Sequence, residues 1–475
     1  MDIAVYKLNI LRKVIYISTL LIAALYFWAC SSDDDYSSGD GYPLSFSTDS
    51  ISFDTIFTEI GSATAHFRIY NRNSSSLTIQ SVKLMSLGKS GFRINVDGES
   101  GTQFSNVEIL KKDSIFTFVE VTVDPKKSKD LIIKDSIRFV TNGIAQYVKL
   151  EAIGLDVYKW NDKVLAQDTT LTDKKPFLIT NSLTIKEGVK VHITENTCFY
   201  FRRDASFDIK GSVNMQGTVD KPIILRGDRF DMISANIPFD NVPGQWAGVS
   251  FYSNSYDNIL NNVVIKNSTY GLSFDESDPS RKKASLTNTI IRNSSENNFA
   301  ANNCDIDATN CLITNAKDFN LIVVGGKYSF TNCTIANYYR WASRNYETLI
   351  ISNILGRDTK PLIECNVINS IVYGSTTDEL LLNNAYGTSF NFKFTNCLIK
   401  SKNVESSSFE NVIWNQDPLF FNINQAEDYS YNFELQANSP AIGKANSLAP
   451  TIDIKGRVRP NGTTADLGCY EWYDK

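Results

Sequence analysis

NCLITN at 310–315 and NCTIAN at 332–337 are one six-residue phrase written twice, 22 residues apart. Both fit Asn-x-x-Ile-x-Asn. NVVIKN at 262–267 and NTIIRN at 288–293 precede them; NCLIKS at 396–401 and the degenerate NVIW at 411–414 follow. Self-similarity at a period of roughly 20–50 residues marks a repeat architecture. Strand side chains alternate, so the first and third residues after the opening Asn share one face. Those positions hold Val263/Ile265, Thr289/Ile291, Cys311/Ile313, Cys333/Ile335 and Cys397/Ile399, an apolar stack. The residue between them varies: Val264, Ile290, Leu312, Thr334, Leu398. Asn tolerates the left-handed conformation of a sharp turn. Short strands closed by Asn turns in a coil of 22 residues predict a parallel β-helix. Its coils hydrogen-bond at about 4.8 Å, and its buried Asn side chains pair from coil to coil as amide ladders. Asn353 lies 21 residues after Asn332 and fits the period; Asn369 comes 16 later and does not. Either one belongs to another face or a coil carries an insertion.

The N-terminal 30 residues read as a targeting segment. Lys7, Arg12 and Lys13 precede an apolar run from Val14 to Ala29, short for a membrane span. Ala29-Cys30 at its end resembles a bacterial lipoprotein signal, with Phe27 where that pattern prefers Leu. The resemblance makes Cys30 the lipid-bearing first residue of the mature chain. Ser31-Ser32-Asp33-Asp34-Asp35 resembles the export signal of surface-exposed lipoproteins of some Gram-negative bacteria. Together they imply an outer-membrane location facing the cell exterior. Two or more acyl chains hold a protein stably at a membrane. Residues 31–43 are a polar, Gly/Ser-rich tether.

Net charge is −5 with no basic stripe, which argues against nucleic acid. Seven cysteines follow Cys30. Cys311, Cys333 and Cys397 share an inward repeat position and read as stacked small hydrophobes. Adjacent coils put Cys311 and Cys333 about 5 Å apart, within disulfide reach, but a free column is the expectation. There is no CxxC or Cys/His spacing, and His66 and His192 are the only histidines, so no metal site or cofactor is expected.

Residues 44–155 alternate apolar and polar in about seven short runs, among them Ala65–Tyr70 and Leu77–Leu84. Asn142-Gly143 is a hairpin signal. This pattern suggests an immunoglobulin-like β-sandwich. IYNRNSSSLTIQSVKL, FRINVDG and FTFVEVTVDP resemble the Ig-like modules beside β-helices in bacterial surface lipoproteins. Within the β-helix span, 156–415, residues 160–180 read as a junction and Leu183 as the first regular strand. GTVDKPIILRG at 217–227 resembles a coil-closing pattern of bacterial right-handed β-helix proteins, and the right hand follows from that likeness and the general crossover rule. Residues 416–475 resemble a module found after secreted β-helices, through DPLF, LQANSPAI, DIKGRVRP and DLGCYE. They read as a cap on the last open coil. The expected fold is therefore all-β, a right-handed parallel β-helix preceded by an immunoglobulin-like β-sandwich.

Three places suggest a binding surface. Asp228 to Gly244 breaks the repeat and carries Asp228, Arg229, Asp231 and Asp240; long loops in compact folds are often functional. Asp275–Lys283 carries Arg281, Lys282 and Lys283. If both excursions leave the same edge, their charges line one groove. Tyr338-Tyr339-Arg340-Trp341 offers ring faces and a guanidinium suited to sugar and carboxylate. No paired-carboxylate motif of glycoside hydrolases is present. The primary expectation is a non-catalytic, lipid-anchored surface protein that binds an extended glycan or surface partner along the coils. The alternative is a polysaccharide lyase on uronic-acid glycans. Arg281, Lys282 and Lys283 would then be its weak catalytic candidates and Asp228 and Asp231 its Ca2+ ligands.

Overall fold

The computed structural model describes residues 43–126, 131–234, 236–402, 406–423 and 429–474. The segment read as a targeting signal, with Cys30, and all but the last residue of the expected 31–43 tether lie outside them. The chain divides into two compact units, Met1–Leu155 and Asp156–Lys475.

The described part of the first unit holds two five-stranded sheets over one apolar core. One contains Ala65–Tyr70, Ser114–Val121 and Phe92–Val96; the other contains Ser50–Phe57, Ile144–Leu155, Ile132–Thr141 and Leu77–Leu84. Pairing is antiparallel except between Ser50–Phe57 and Ile144–Leu155, which run parallel. Asn142 and Gly143 turn the last hairpin at φ 50° and 77°, the doubly left-handed turn this dipeptide favours. Phe67, Phe92, Phe139 and Val119 fill the core.

The second unit is a stack of coils whose strands form three parallel sheets of 11, 9 and 10 strands, the last coils giving none to the second sheet. The first sheet runs from Tyr158–Trp160 to Ile413–Trp414, the second from Lys163–Leu165 to Leu380–Asn383, the third from Thr169–Leu171 to Phe409–Glu410. This is a parallel β-helix-like, all-β fold. A full coil is already formed by Tyr158–Trp160, Lys163–Leu165 and Thr169–Leu171, so the segment expected to be a junction is the first turn of the stack.

The repeat sets the register. Ile265 pairs with Ile291, Ile291 with Ile313, Ile313 with Ile335, then Ile335 with Val372 and Val372 with Ile399. All six are fully buried in one continuous core. Aromatic rings extend that core: Phe201 stacks on Trp246 at 4.1 Å and Phe251 on Phe274 at 4.5 Å. Asn262, Asn288, Asn310, Asn332, Asn369 and Asn396 open successive strands of the first sheet at φ between 48° and 60°. Most other residues would incur about 1–2 kcal/mol there. Asn369 is thus the in-register residue. Asn353 follows Leu349–Ser352 in the second sheet, and the coil is lengthened by the insertion at 338–348.

The C-terminal segment was expected over the open end; it lies along a flank. Phe420, Phe433, Leu435, Ala441, Leu467, Cys469 and Tyr470 bury Leu312, Ala336, Ile371 and Leu398 on the outer face of the first sheet. The outward position of the repeat is apolar because a second layer covers it. The final turns pack their own rings against the core: Phe394 stacks on Phe409 at 5.1 Å, and Phe409 meets Trp414 at 5.1 Å. The asparagines tie the segment down. Asn310 donates to the Ile452 carbonyl, Asn332 to those of Asp466 and Gly468, and Asn396 to that of Lys444. Coil-to-coil amide pairing is intermittent, from Asn310 to Asn288 at 2.6 Å and from Asn369 to Asn332 at 3.2 Å.

Candidate functional site

The two excursions leave different corners, so they do not line one groove. The loop after Ile223–Gly227 joins the first sheet to the second at Gly248–Phe251. Asp275–Lys283 joins Leu272–Phe274 in the second sheet to Ala284–Thr287 in the third. A whole sheet separates the two corners.

In the first loop the predicted charges are mutually engaged. Arg229 forks onto both oxygens of Asp231 and lies 3.8 Å over the Phe239 ring. Asp228 meets Arg202 at 3.4 Å; burial raises its carboxyl above the ordinary value, and Arg202 only partly opposes this. Asp240 bridges Arg226 at 2.9 Å and Lys266 at 2.7 Å. Burial works to raise Asp240, yet those two cations outweigh it and hold the carboxyl low.

The three basic residues of the second loop separate. Arg281 pairs with Asp257 at 2.7 Å and covers the Tyr256 ring at 4.4 Å. Lys282 reaches Asp305 and Asp307 at 2.5 and 2.7 Å. Lys283 is fully buried and donates to the Tyr252 carbonyl at 2.5 Å, and burial pushes its amine down to about 8. A lysine poised near neutrality suits a general base, but this one points into main-chain carbonyls.

The aromatic run is an anchor for the C-terminal segment. Trp341 stacks on Tyr429 at 4.2 Å, and Tyr338 accepts through its carbonyl from the Tyr431 hydroxyl at 3.0 Å and packs on Phe433. Tyr339 is buried and Arg340 exposed. Behind them Arg344 forks onto Glu379, both nearly solvent-free, and fixes the inserted loop. Cys311, Cys333 and Cys397 are buried, and every described cysteine is free.

A groove of about 820 Å³ does exist, on the outer face of the third sheet. Its floor is a column of paired residues, Thr170, His192, Asn214 and Ile259, one from each of four successive coils. Asp168 and Glu187 line one part; Asn254, Tyr256, Asp257 and Arg281 line another. Asn254 donates to Glu187 at 2.9 Å. Of the binding and catalytic candidates named from the sequence, Arg281 alone borders this groove. Its floor was missed because outward strand positions look like ordinary solvated residues; the signal was the polar identity of Thr170, His192 and Asn214 at one position of three successive third-sheet strands.

A second constellation also escaped notice. Arg226, Lys266 and Arg292 occupy one outward column of the first sheet on three successive coils. Arg292 borders a cavity of about 400 Å³ beneath the C-terminal segment.

No protein-family model matches the chain, and no curated protein matches it. Among solved structures, a family 123 glycoside hydrolase from Clostridium perfringens, whose structural analysis concerned glycolipid glycan hydrolysis, is similar over 24% of this chain and 26% of its own, at 8% identity and a TM-score of 0.17. The chain spans about a quarter of that hydrolase's length. At that score the likeness is too slight to bear on function.

Proposed function

We propose that this is a lipid-anchored protein of the outer-membrane surface, carried by Cys30, that binds an extended glycan without cleaving it. In this reading the coils form a right-handed β-helix and the first unit is an immunoglobulin-like spacer. The observation that carries it is the groove on the third sheet. Its floor is polar on three successive coils, at Thr170, His192 and Asn214, a geometry suited to a polymer that repeats its hydroxyls; Ile259 closes the column and Tyr256 supplies a ring at its side. Carboxylates Asp168, Glu187 and Asp257 outnumber the cations Lys190 and Arg281 there, which favours a neutral glycan over a uronate. Against the lyase alternative, Arg281 and Lys282 are neutralised in ion pairs and Lys283 is buried.

The test is a glycan-array screen of the mature chain with Tyr256→Ala and Asn214→Ala beside it. The reading expects neutral polymers to bind and each variant to weaken them about tenfold. Unchanged binding in both variants refutes the groove, and release of unsaturated uronate products supports the lyase instead. Cys30→Ser is expected to shift the protein from the membrane to the soluble fraction, and proteinase added to intact cells to degrade the parent.

A further inference from the structure

We propose that the cavity between the first sheet and the C-terminal segment binds a carboxylate carried on a six-membered ring, with Arg292 as its anion anchor. This site lies on a different sheet from the glycan groove and stands or falls independently of it.

The sequence places Arg226, Lys266 and Arg292 in one column of a parallel sheet, so their side chains emerge at the coil spacing of about 4.8 Å. Like charges at that distance repel and need counter-charge. Among the described residues Asp240 is the carboxylate ion-paired to this column, and its pairs are with Arg226 and Lys266. Among the described residues the Arg292 guanidinium makes no hydrogen bond, ion pair or ring contact. The excess positive charge leaves a trace in its neighbours. Burial, with the nearby Arg292, draws the Lys266 amine down to about 8 despite the pull of Asp240. Burial likewise lowers Arg292 itself. A half-buried guanidinium that faces a cavity without a protein partner loses part of its hydration, a cost that a bound anion would recover.

The cavity gives the shape. It holds about 400 Å³, toward the small end of ligand pockets. Val264, Ile290 and Leu312 form an apolar floor, and Tyr431, Phe433 and Tyr470 border it from the C-terminal segment. Glu434 also borders it but is already held by Lys455 at 2.7 Å and Arg457 at 3.3 Å. The lining thus combines one uncommitted planar fork with flat apolar surfaces. A guanidinium matches a carboxylate in two parallel hydrogen bonds, and the floor and rings receive the body that bears it. Acidic sugars and aromatic acids share that chemistry.

Calorimetric titration of the mature chain with benzoate, glucuronate, benzyl alcohol and glucose tests this. At least one acid should bind tenfold or more tighter than its neutral counterpart, and which acid does so identifies the source. Arg292→Gln should abolish that preference while the thermal melt still shows a folded chain. Asp240→Asn removes a competing negative charge and should tighten the acid about threefold, a gain that misfolding cannot mimic. Equal binding of acid and neutral analogue, no binding by any probe, or an Asp240→Asn variant that binds the acid no tighter than the parent would each overturn the assignment.

Discussion

Asn332 serves two layers at once. Its backbone turns the coil corner at φ 51°, and its amide donates to two carbonyls of the C-terminal segment. Asn332→Ala loses both and should cost about 3 kcal/mol, while Asn332→Gly keeps the turn and should cost about half that. Urea denaturation of the two variants measures the difference; equal losses would mean the turn conformation contributes nothing. Lys283 makes a separate prediction. Its amine titrates near 8 when folded and near 10.5 when unfolded. Between those values the unfolded chain binds more protons, so this lysine makes stability rise with pH across that window. Compared with Lys283→Met, the parent should gain stability from pH about 8 to about 10; comparing the pair cancels the tyrosines that titrate above. A gap independent of pH would contradict the burial of this amine.

At the scale of elements, the first sheet is covered on both faces and the third on one. Inward Ile and Cys positions were legible because their spacing matches strand alternation exactly where the core demands it. The outward column of Val264, Ile290, Leu312, Thr334, Ile371 and Leu398 is just as apolar, yet its partner is more than a hundred residues away in sequence for Ile290 and Leu312. Spacing within a repeat carries no information about what docks on it from outside. The charges of the C-terminal segment have a structural use. Arg459 and Glu471 form a solvent-free pair at 3.0 Å, and Asp453 is buried against Arg457. Removing one partner strands the other's charge. Arg459→Met should therefore destabilise the segment by about 3–5 kcal/mol. Hydrogen exchange should accelerate over residues 452–472 and stay slow in strands of the third sheet; uniform acceleration would show that the segment does not open on its own.

For the whole molecule, the two units have separate cores. Phe139 is fully buried in the first, 5.1 Å from Phe46 and 6.1 Å from Phe67. Phe139→Ala should cost that unit about 3–5 kcal/mol. Differential scanning calorimetry is expected to show one transition lowered and a second unmoved; a single transition shifted as a whole would mean the units unfold together.

The coil stack follows from the sequence alone. A period of 22 residues, with Ile inward and Asn at the corner, has one way to bury its apolar stripe, which is against the next copy of itself. Hairpin turns such as Asn142-Gly143 were legible for the same local reason. Three things were decided only in three dimensions. Loop corners depend on which of three sheets a strand joins, which separated Asp228 from Arg281. The C-terminal segment lies on a flank, where Leu312, Ala336, Ile371 and Leu398 offer it an apolar outer column. The charge balance around Arg292 depends on Asp240 reaching back across two coils, and contacts of that kind leave no periodic trace in a chain.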